Sequence, residues 1–444
     1  MNREEILEML ENRRLKELRE ALECVHPVDI AEFLEEVEDR QMILIFRMLG
    51  KDEAASVFTE MNNDVREVLL NALTDSEIKE VVDEMYLDDV ADLLEEMPAN
   101  VVDHLLMSTD EETRKQVNDL LKYPEDSAGS IMNVEYVAFS KDMTVEEAIL
   151  KIRQVGINRE TIYNCYVLEK RKLIGVVSLR ELLTSGDGRT IEEIMETNIL
   201  CVNTHDDQEI AASMMNRYRL IALPVVDKEM RMVGIVTVDD AIDVIQEETT
   251  EDMNVMAGIV VPNEDSYFDT SVWKHAKSRF PWLLFLMLSA TFSGLVLGHF
   301  ESAILAMPIL NTFITMLTGT GGNCGSQSST LIIRGLAVDE IRFKDIFKVM
   351  FKELRVSLLV GSMLAVANGI RIVIMYRQPM LAVALGVTMI CTVILAKTIG
   401  CTLPLIAKKL GLDPALMASP LITTLVDTGT ILIYFTIVTR IYKI

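Results

Sequence analysis

Apolar residues recur with a helical period over the first quarter of the chain, with a mixed period over the second, and almost without interruption after residue 280. In residues 1–123 the runs Asp29-Ile-Ala-Glu-Phe-Leu, Asp64-Val-Arg-Glu-Val-Leu-Leu and Asp89-Val-Ala-Asp-Leu-Leu-Glu-Glu-Met each open on an acid and place apolar residues at i, i+3 and i+4. That is the mark of a capped amphipathic helix, so this part reads as short stacked helices forming a small acidic superhelix. Pro124 ends the pattern, and residues 124–130 read as a linker.

Residues 131–190 and 191–246 carry an internal duplication with a period of about 60 residues. Met132 and Met195 open the two copies, an amphipathic helix follows (Val145-Glu-Glu-Ala-Ile-Leu; Gln208-Glu-Ile-Ala-Ala-Ser-Met-Met), and each copy closes on two strands and a helix. These are two α+β modules, and the pair resembles tandem CBS domains, a regulatory fold that often holds adenine nucleotides between its halves. Gly234-Ile-Val-Thr237-Val-Asp-Asp240 matches that family's ribose and phosphate signature, which makes Thr237 and Asp240 nucleotide candidates. Gly175-Val-Val-Ser178-Leu-Arg-Glu181 departs from it, because Glu181 stands where Asp or Asn is usual. A nucleotide-binding pair and a purely structural pair both remain open, since a fold does not guarantee a ligand.

Residues 239–272 overlap the end of the second module and read as a long acidic connecting helix, to about Val260, followed by a linker. Trp273-Lys-His-Ala-Lys-Ser-Arg-Phe-Pro-Trp282 has the basic and aromatic character of a membrane interface. From 273 to 444 we read about five spans, at 281–300, 303–335 with a glycine-rich break, 355–376, 379–403 and 416–440. Lys274, Lys277 and Arg279, the cluster Arg342, Lys344, Lys348, Lys352 and Arg355, and Lys408 with Lys409 all fall on one side, which should be the inside. Arg377 falls opposite, and an odd count puts the C-terminus outside, where Arg440 and Lys443 oppose the rule mildly.

Charge divides at the same place. Residues 1–265 carry 60 acids and 26 bases, whereas the rest carry 8 acids and 16 bases. An anionic body repels nucleic acid and gathers cations, so no nucleic-acid partner is expected and a hydrated divalent ion is. The six cysteines form no C-x-x-C pair and the five histidines no i, i+4 ligand pair, which argues against zinc, copper and a disulfide framework. No cleavable signal precedes the acidic start, so the soluble half is expected to stay cytoplasmic in a multi-pass inner-membrane protein.

Asp427 interrupts the last apolar span, where a charge costs roughly 2.5 to 3.5 kcal/mol on insertion scales and persists when it faces water, a partner or an ion. Thr423 and Thr424 lie one turn earlier and would share its face. A pore-facing Asp427 is one reading; pairing with Lys397 or Arg371 is the other. Mg2+ takes hard oxygen ligands and keeps its waters, so a single carboxylate suits it. In the run Gly319 to Thr330, Asn323, Ser326 and Gln327 could contact hydration waters, or the small residues could serve helix packing alone. The run follows an apolar helix and lacks the Gly-Lys-Ser/Thr of a phosphate loop. Asp88, Asp89, Asp92, Asp207, Glu209, Asp239, Asp240, Asp243, Glu247, Glu248, Glu251 and Asp252 are solvated faces by default, and a cation sensor only if folding brings them together.

The order of parts, with Ser127-Ala-Gly129, Gly322-Asn-Cys-Gly-Ser-Gln327 and Leu425-Val-Asp-Thr428, resembles the MgtE family of magnesium channels and transporters across essentially the whole chain. The resemblance implies a homodimer with the pore between subunits, hydrated Mg2+ at Asp427 with Asn323 in the lining, and a connecting helix that acts as a plug. It further implies that cytosolic Mg2+ closes the pore. Asp88, Asp89 and Asp92 would join the helical domain to the CBS pair, Asp207, Glu209, Asp240, Asp243, Glu251 and Asp252 would serve the CBS and plug interfaces, and Asp413 would face the plug. Asn216 and Arg219 stand where the family has acids, which leaves sensor stoichiometry open. The competing readings are a carrier of another divalent ion, such as Co2+ or Mn2+, and a membrane-anchored nucleotide sensor without transport. No nucleophile–base pair points to an enzyme.

Overall fold

The computed structural model describes residues 3–12, 14–97, 102, 105, 109, 111–259, 270–338, 340–417 and 419–443, and the chain forms two compact units, 1–246 and 247–444. The end of the connecting helix near Val260, most of the linker after it, and His104 lie outside the described residues.

The first unit opens with short helices: α1 (Arg3–Glu11), α2 (Leu15–Leu22), α3 (Pro27–Glu35), α4 (Asp39–Phe46), α5 (Lys51–Thr59), α6 (Asn63–Ala72), α7 (Asp75–Val82), α8 (Leu87–Glu96) and α9 (Glu111–Leu120). Their starts follow capping chemistry. At α7, Thr74 Oγ1 accepts from the Glu77 amide at 3.4 Å while the Glu77 carboxylate accepts from the Thr74 amide at 2.8 Å, so two orphan donors are satisfied together. The buried faces supply Leu18, Ile30, Phe33, Ile45, Phe58 and Leu69 to one core, which continues into Ala211, Met215 and Leu223 of the second α+β module.

Each module is a three-stranded sheet. In the first, β1 (Ala138–Phe139) runs parallel to β2 (Asn164–Glu169), which pairs antiparallel with β3 (Lys172–Ser178); helices α10 (Val145–Val155), α11 (Leu179–Thr184) and α12 (Ile191–Ile194) accompany it. The second repeats this with β4 (Val202–Asn203), β5 (Ala222–Val226), β6 (Met232–Thr237) and α13 (Gln208–Tyr218), and runs on into α14 (Val238–Met256). The modules exchange their leading residues. Asn133 trades backbone hydrogen bonds of 2.8 Å with Ile235 of β6, and Glu196 trades bonds of 2.9 and 3.0 Å with Val176 of β3. Glycine permits the crossing: a Cβ at Gly175 would lie 2.5 Å from the Met195 sulfur, and one at Gly234 would lie 2.7 Å from the Asn133 carbonyl oxygen.

The second unit is helical. Its members are α15 (Val272–His299), α16 (Glu301–Ala306), a 3-10 turn at Pro308–Leu310, α17 (Asn311–Ala337), α18 (Ile346–Tyr376), α19 (Pro379–Lys409) and α20 (Ser419–Tyr442). Among the described residues four stretches, those holding α15, α18, α19 and α20, are long and apolar enough to cross a membrane. The fifth long helix, α17, is diluted by its glycines, serines and threonines.

The glycine-rich run does not break that helix. The expected irregular backbone is replaced by continuous α17, and the interruption falls earlier, at Met307 to Leu310. Glycine costs about 1 kcal/mol in a helix relative to alanine, but here it permits contacts no side chain would allow. A Cβ at Gly321 would lie 2.8 Å from Thr392 and Val426, one at Gly322 2.9 Å from Thr423, and one at Gly325 2.7 Å from Ile422. A Cβ at Gly400 would lie 2.3 Å from the Gly325 carbonyl oxygen, so α17 and α19 cross backbone to backbone. We expect Gly400→Ala to destabilise the helical unit by about 3 kcal/mol, the upper range for overpacking, read as a lower unfolding temperature in detergent.

Candidate functional site

Glycine packing brings α20, with Asp427, onto α17, with Asn323. Gly321, Gly322 and Gly325 form the face of α17 that meets Thr423, Val426 and Ile422 of α20. The other face is polar and uncovered: Thr315, Gly319, Asn323, Gln327, Thr330 and Arg334 recur every three or four residues and are exposed. Ser326 is half-buried at the edge of this stripe.

Asp427 is half-buried, and its Oδ1 is enclosed without a hydrogen-bond partner. Neither neutralising cation considered from the sequence is committed to it. Lys397 Nζ lies 3.2 Å from Glu353 Oε2, and the Arg371 guanidinium lies 2.9 Å from the Met316 sulfur. One turn before Asp427, Thr424 donates to the Pro420 carbonyl at 2.9 Å, which leaves its oxygen free to accept, while Thr423 lies against Gly322. Next to Asp427, the Thr428 and Ser293 hydroxyls meet at 2.6 Å, tying α20 to α15. Thr392 and Thr430, which flank Gly321, are fully buried with unpartnered hydroxyl oxygens. Sequence inspection passed over both, because threonine in an apolar helix carries no signal of its own.

Asp413 is exposed, and its carboxylate accepts from the Ala415 amide at 2.8 Å, capping the short turn Pro414–Met417.

In the first unit, folding gathers part of the acidic set. Asp88 and Asp89 open α8, and Asp239 and Asp240 open α14. Burial, then Asp89, Asp240 and Glu160, hold the Asp88 carboxyl well above the usual carboxylate range. Burial and Asp240 push Asp89 up to about 6, and burial followed by Asp239, Asp240 and Asp89 pushes Glu160 up to about 7. Burial likewise raises Asp240, against the pull of Thr237, whose hydroxyl donates to Asp240 Oδ2 at 2.5 Å. Asn133, fully buried, donates to Asp88 at 3.1 Å and to Glu160 at 3.2 Å, and Glu135 Oε2 is enclosed without a partner. Glu160, Glu135 and Asn133 are absent from the sequence-derived set, because loops between strands carry no periodic signal. Among the described residues no three His, Cys, Asp or Glu side chains converge tightly enough to hold a metal directly.

The other acids lie elsewhere. Asp92, Asp243 and Glu251 are exposed and Asp252 half-buried; burial and then Asp239 raise the Asp243 carboxyl. Asp207 is the N-cap of α13, accepting from the Glu209 amide at 2.8 Å, and both side chains are exposed. At the far end of α13, Arg219 donates to Asn216 at 3.2 Å. Glu181, the departure from the nucleotide signature, closes a capping box with Ser178 at 2.9 and 3.2 Å, so the extra methylene serves the start of α11.

The raised carboxyls predict a pH response with a definite sign. In the folded unit Asp89 and Glu160 keep protons that their unfolded forms, at 3.8 and 4.5, have released. Stability of this cluster therefore rises as pH falls from about 7 toward 4.5. In metal-free buffer we expect the unfolding midpoint to increase over that window and the increase to shrink in Glu160→Gln.

Comparison with known proteins meets this arrangement on every part. Residues 314–437 match the MgtE divalent cation transporter family, residues 25–126 the MgtE intracellular N domain, and residues 128–187 and 191–247 the CBS domain. The magnesium transporter MgtE of Thermus thermophilus is 37% identical over 97% of this chain and 96% of its own length, and that of Bacillus subtilis is 33% identical over 98% and 96%. Among solved structures, the cytosolic domain of the Mg2+ channel MgtE in complex with ATP is 38% identical, with a TM-score of 0.52 over 54% of this chain and 98% of that one. The soluble part of a magnesium transporter is 30% identical, with a TM-score of 0.53 over 55% and 97%.

An acidic helical domain and a CBS pair attached to an apolar helical bundle with a polar stripe define a membrane protein of the transporter class. The chain belongs to the MgtE family of divalent cation transporters.

Proposed function

We propose that this chain is a Mg2+-selective, channel-like transporter that mediates Mg2+ uptake and is closed by cytosolic Mg2+. One observation carries the reading: an enclosed, unpartnered Asp427 oxygen on a helix packed against the glycine face of α17, whose other face is an exposed polar stripe. A row of amides and hydroxyls is costly against lipid and favourable against water or a second copy. A homodimer that faces two such stripes across a wet pathway satisfies both demands. Asp427 then attracts the ion, while Asn323, Gln327, Ser326, Thr423 and Thr424 contact its waters. Retention of those waters fits a site with one carboxylate, because Mg2+ dehydrates reluctantly.

Regulation follows from the first unit. Asp88, Asp89, Asp240 and Glu160 repel one another, and a hydrated divalent cation among them reverses that repulsion. Asp92, Asp207, Glu209, Asp243, Glu251, Asp252 and Asp413 are further candidates for regulatory Mg2+. Internal Mg2+ thereby favours the closed state, and its loss releases α14 as the plug. The ATP-bound relative supports a nucleotide between the CBS modules near Thr237 and Asp240. Topology is read as an inner-membrane protein with a cytoplasmic N-terminal half and an extracytoplasmic C-terminus, and no step requires catalysis.

Competition separates the ion choices. Unlabelled Mg2+ should suppress Co2+ and Mn2+ uptake into liposomes bearing the protein; failure of Mg2+ to compete would favour the other-ion reading.

A further inference from the structure

We propose that Ser328, Glu353 and Lys397 form a buried polar pin that sets the rotation of α17, and with it the direction in which Asn323 and Gln327 point. The three groups come from three helices, α17, α18 and α19. Lys397 is 5% exposed, and its Nζ lies 3.2 Å from Glu353 Oε2 and 3.1 Å from Ser328 Oγ. The Ser328 hydroxyl donates to the same carboxylate oxygen at 2.7 Å, which closes a triangle.

The pin answers a weakness in the packing. On this side α17 meets its neighbours through Gly325, whose carbonyl abuts Gly400. Glycine against glycine lets helices approach closely, but it has no knob to resist turning. A hydroxyl held by a fixed charge pair does resist, because its hydrogen bonds are directional and a buried charge left without its partner is costly. Ser328 lies about 140° round the helix from Asn323, and it is buried where Asn323 and Gln327 are exposed. Turning α17 enough to break the Ser328 contacts carries Asn323 toward the bundle and swings Cys324 out from Val393, Ala396 and Val426. These are positioning residues: their effect on ion flux rests on the transport reading above, whereas the rotation itself does not.

The native thiol of Cys324, 6% exposed, reports the rotation. The full-length protein, with its five other cysteines replaced by alanine, is treated in liposomes with a charged, membrane-impermeant thiol reagent, and Mg2+ flux is measured in parallel. Lys397→Met alone strands Glu353, so the decisive variant is Glu353→Gln with Lys397→Met, which removes both charges. We expect it to melt like its parent, to expose Cys324 at least about tenfold faster, and to lose Mg2+ preference over Co2+; Lys397→Arg retains the parent behaviour. Ser328→Ala, which keeps the charge pair, should shift Cys324 reactivity in the same direction. Parent-like protection of Cys324 in both the double variant and Ser328→Ala overturns the pin. Absence of Mg2+ flux in the parent overturns the transport reading instead, and the thiol result still decides the pin.

Discussion

Alanine at position 427 is expected to lower Mg2+ flux at least about a hundredfold, equivalent to about 2.7 kcal/mol, without lowering the unfolding temperature. The two halves of that expectation come from the same atom. A unit charge pair at about 4 Å is worth about 4 kcal/mol at an effective dielectric of 20, and the ion carries twice that charge. Removing the carboxylate removes most of what attracts a divalent ion into an apolar bundle. Asp427 Oδ1 nevertheless has no hydrogen-bond partner, so its loss breaks no bond within the protein. A structural carboxylate would behave in the opposite way, with the fold weakening before the flux. Growth of a Mg2+-requiring host that depends on this transporter, compared at matched expression, checks the first half, and melting in detergent checks the second.

Replacing Asp88 and Asp89 together by asparagine is expected to remove the Mg2+ response of the soluble half. Both carboxyls are held above their ordinary range by burial and by their acidic neighbours, so both carry the repulsion that the cation relieves. In wild type, adding Mg2+ should slow limited proteolysis of the soluble half about tenfold, an ordinary coupling free energy. In the double variant the change should fall below about twofold, with digestion in the absence of Mg2+ already slow, because the repelling charges are gone. Fast digestion of the variant at every Mg2+ concentration would instead show that these acids hold the unit together through something other than the cation.

Helices in the first unit were legible because acid-led, i, i+3, i+4 patterns carry their own caps, as Thr74 and Glu77 show. The duplication was legible from matching strands. The exchange of leading residues between modules was not, because Asn133 against Ile235 is a contact across about a hundred residues of sequence with no local signature. For the glycine run the sequence leaves a cavity-lining break and close helix packing both open, and the tight partners at Gly321, Gly322 and Gly325 decide for packing in a continuous helix. Asp427 stood out because hydrocarbon makes any charge conspicuous. Lys397 stood out for the same reason, but its partner did not: Glu353 lies 44 residues away on another helix. Glu160 shows the limit in the soluble half, since one acid among 68 becomes distinctive only when folding buries it beside four others.

The most direct test of the central claim is uptake into proteoliposomes that enclose a Mg2+-sensitive dye, with an inward Mg2+ gradient, wild type beside Asp427→Ala at equal reconstituted protein. The account predicts a rise in dye signal with wild type and a trace at the level of protein-free liposomes with the variant. Equal uptake by the two proteins, or none by wild type, would contradict it.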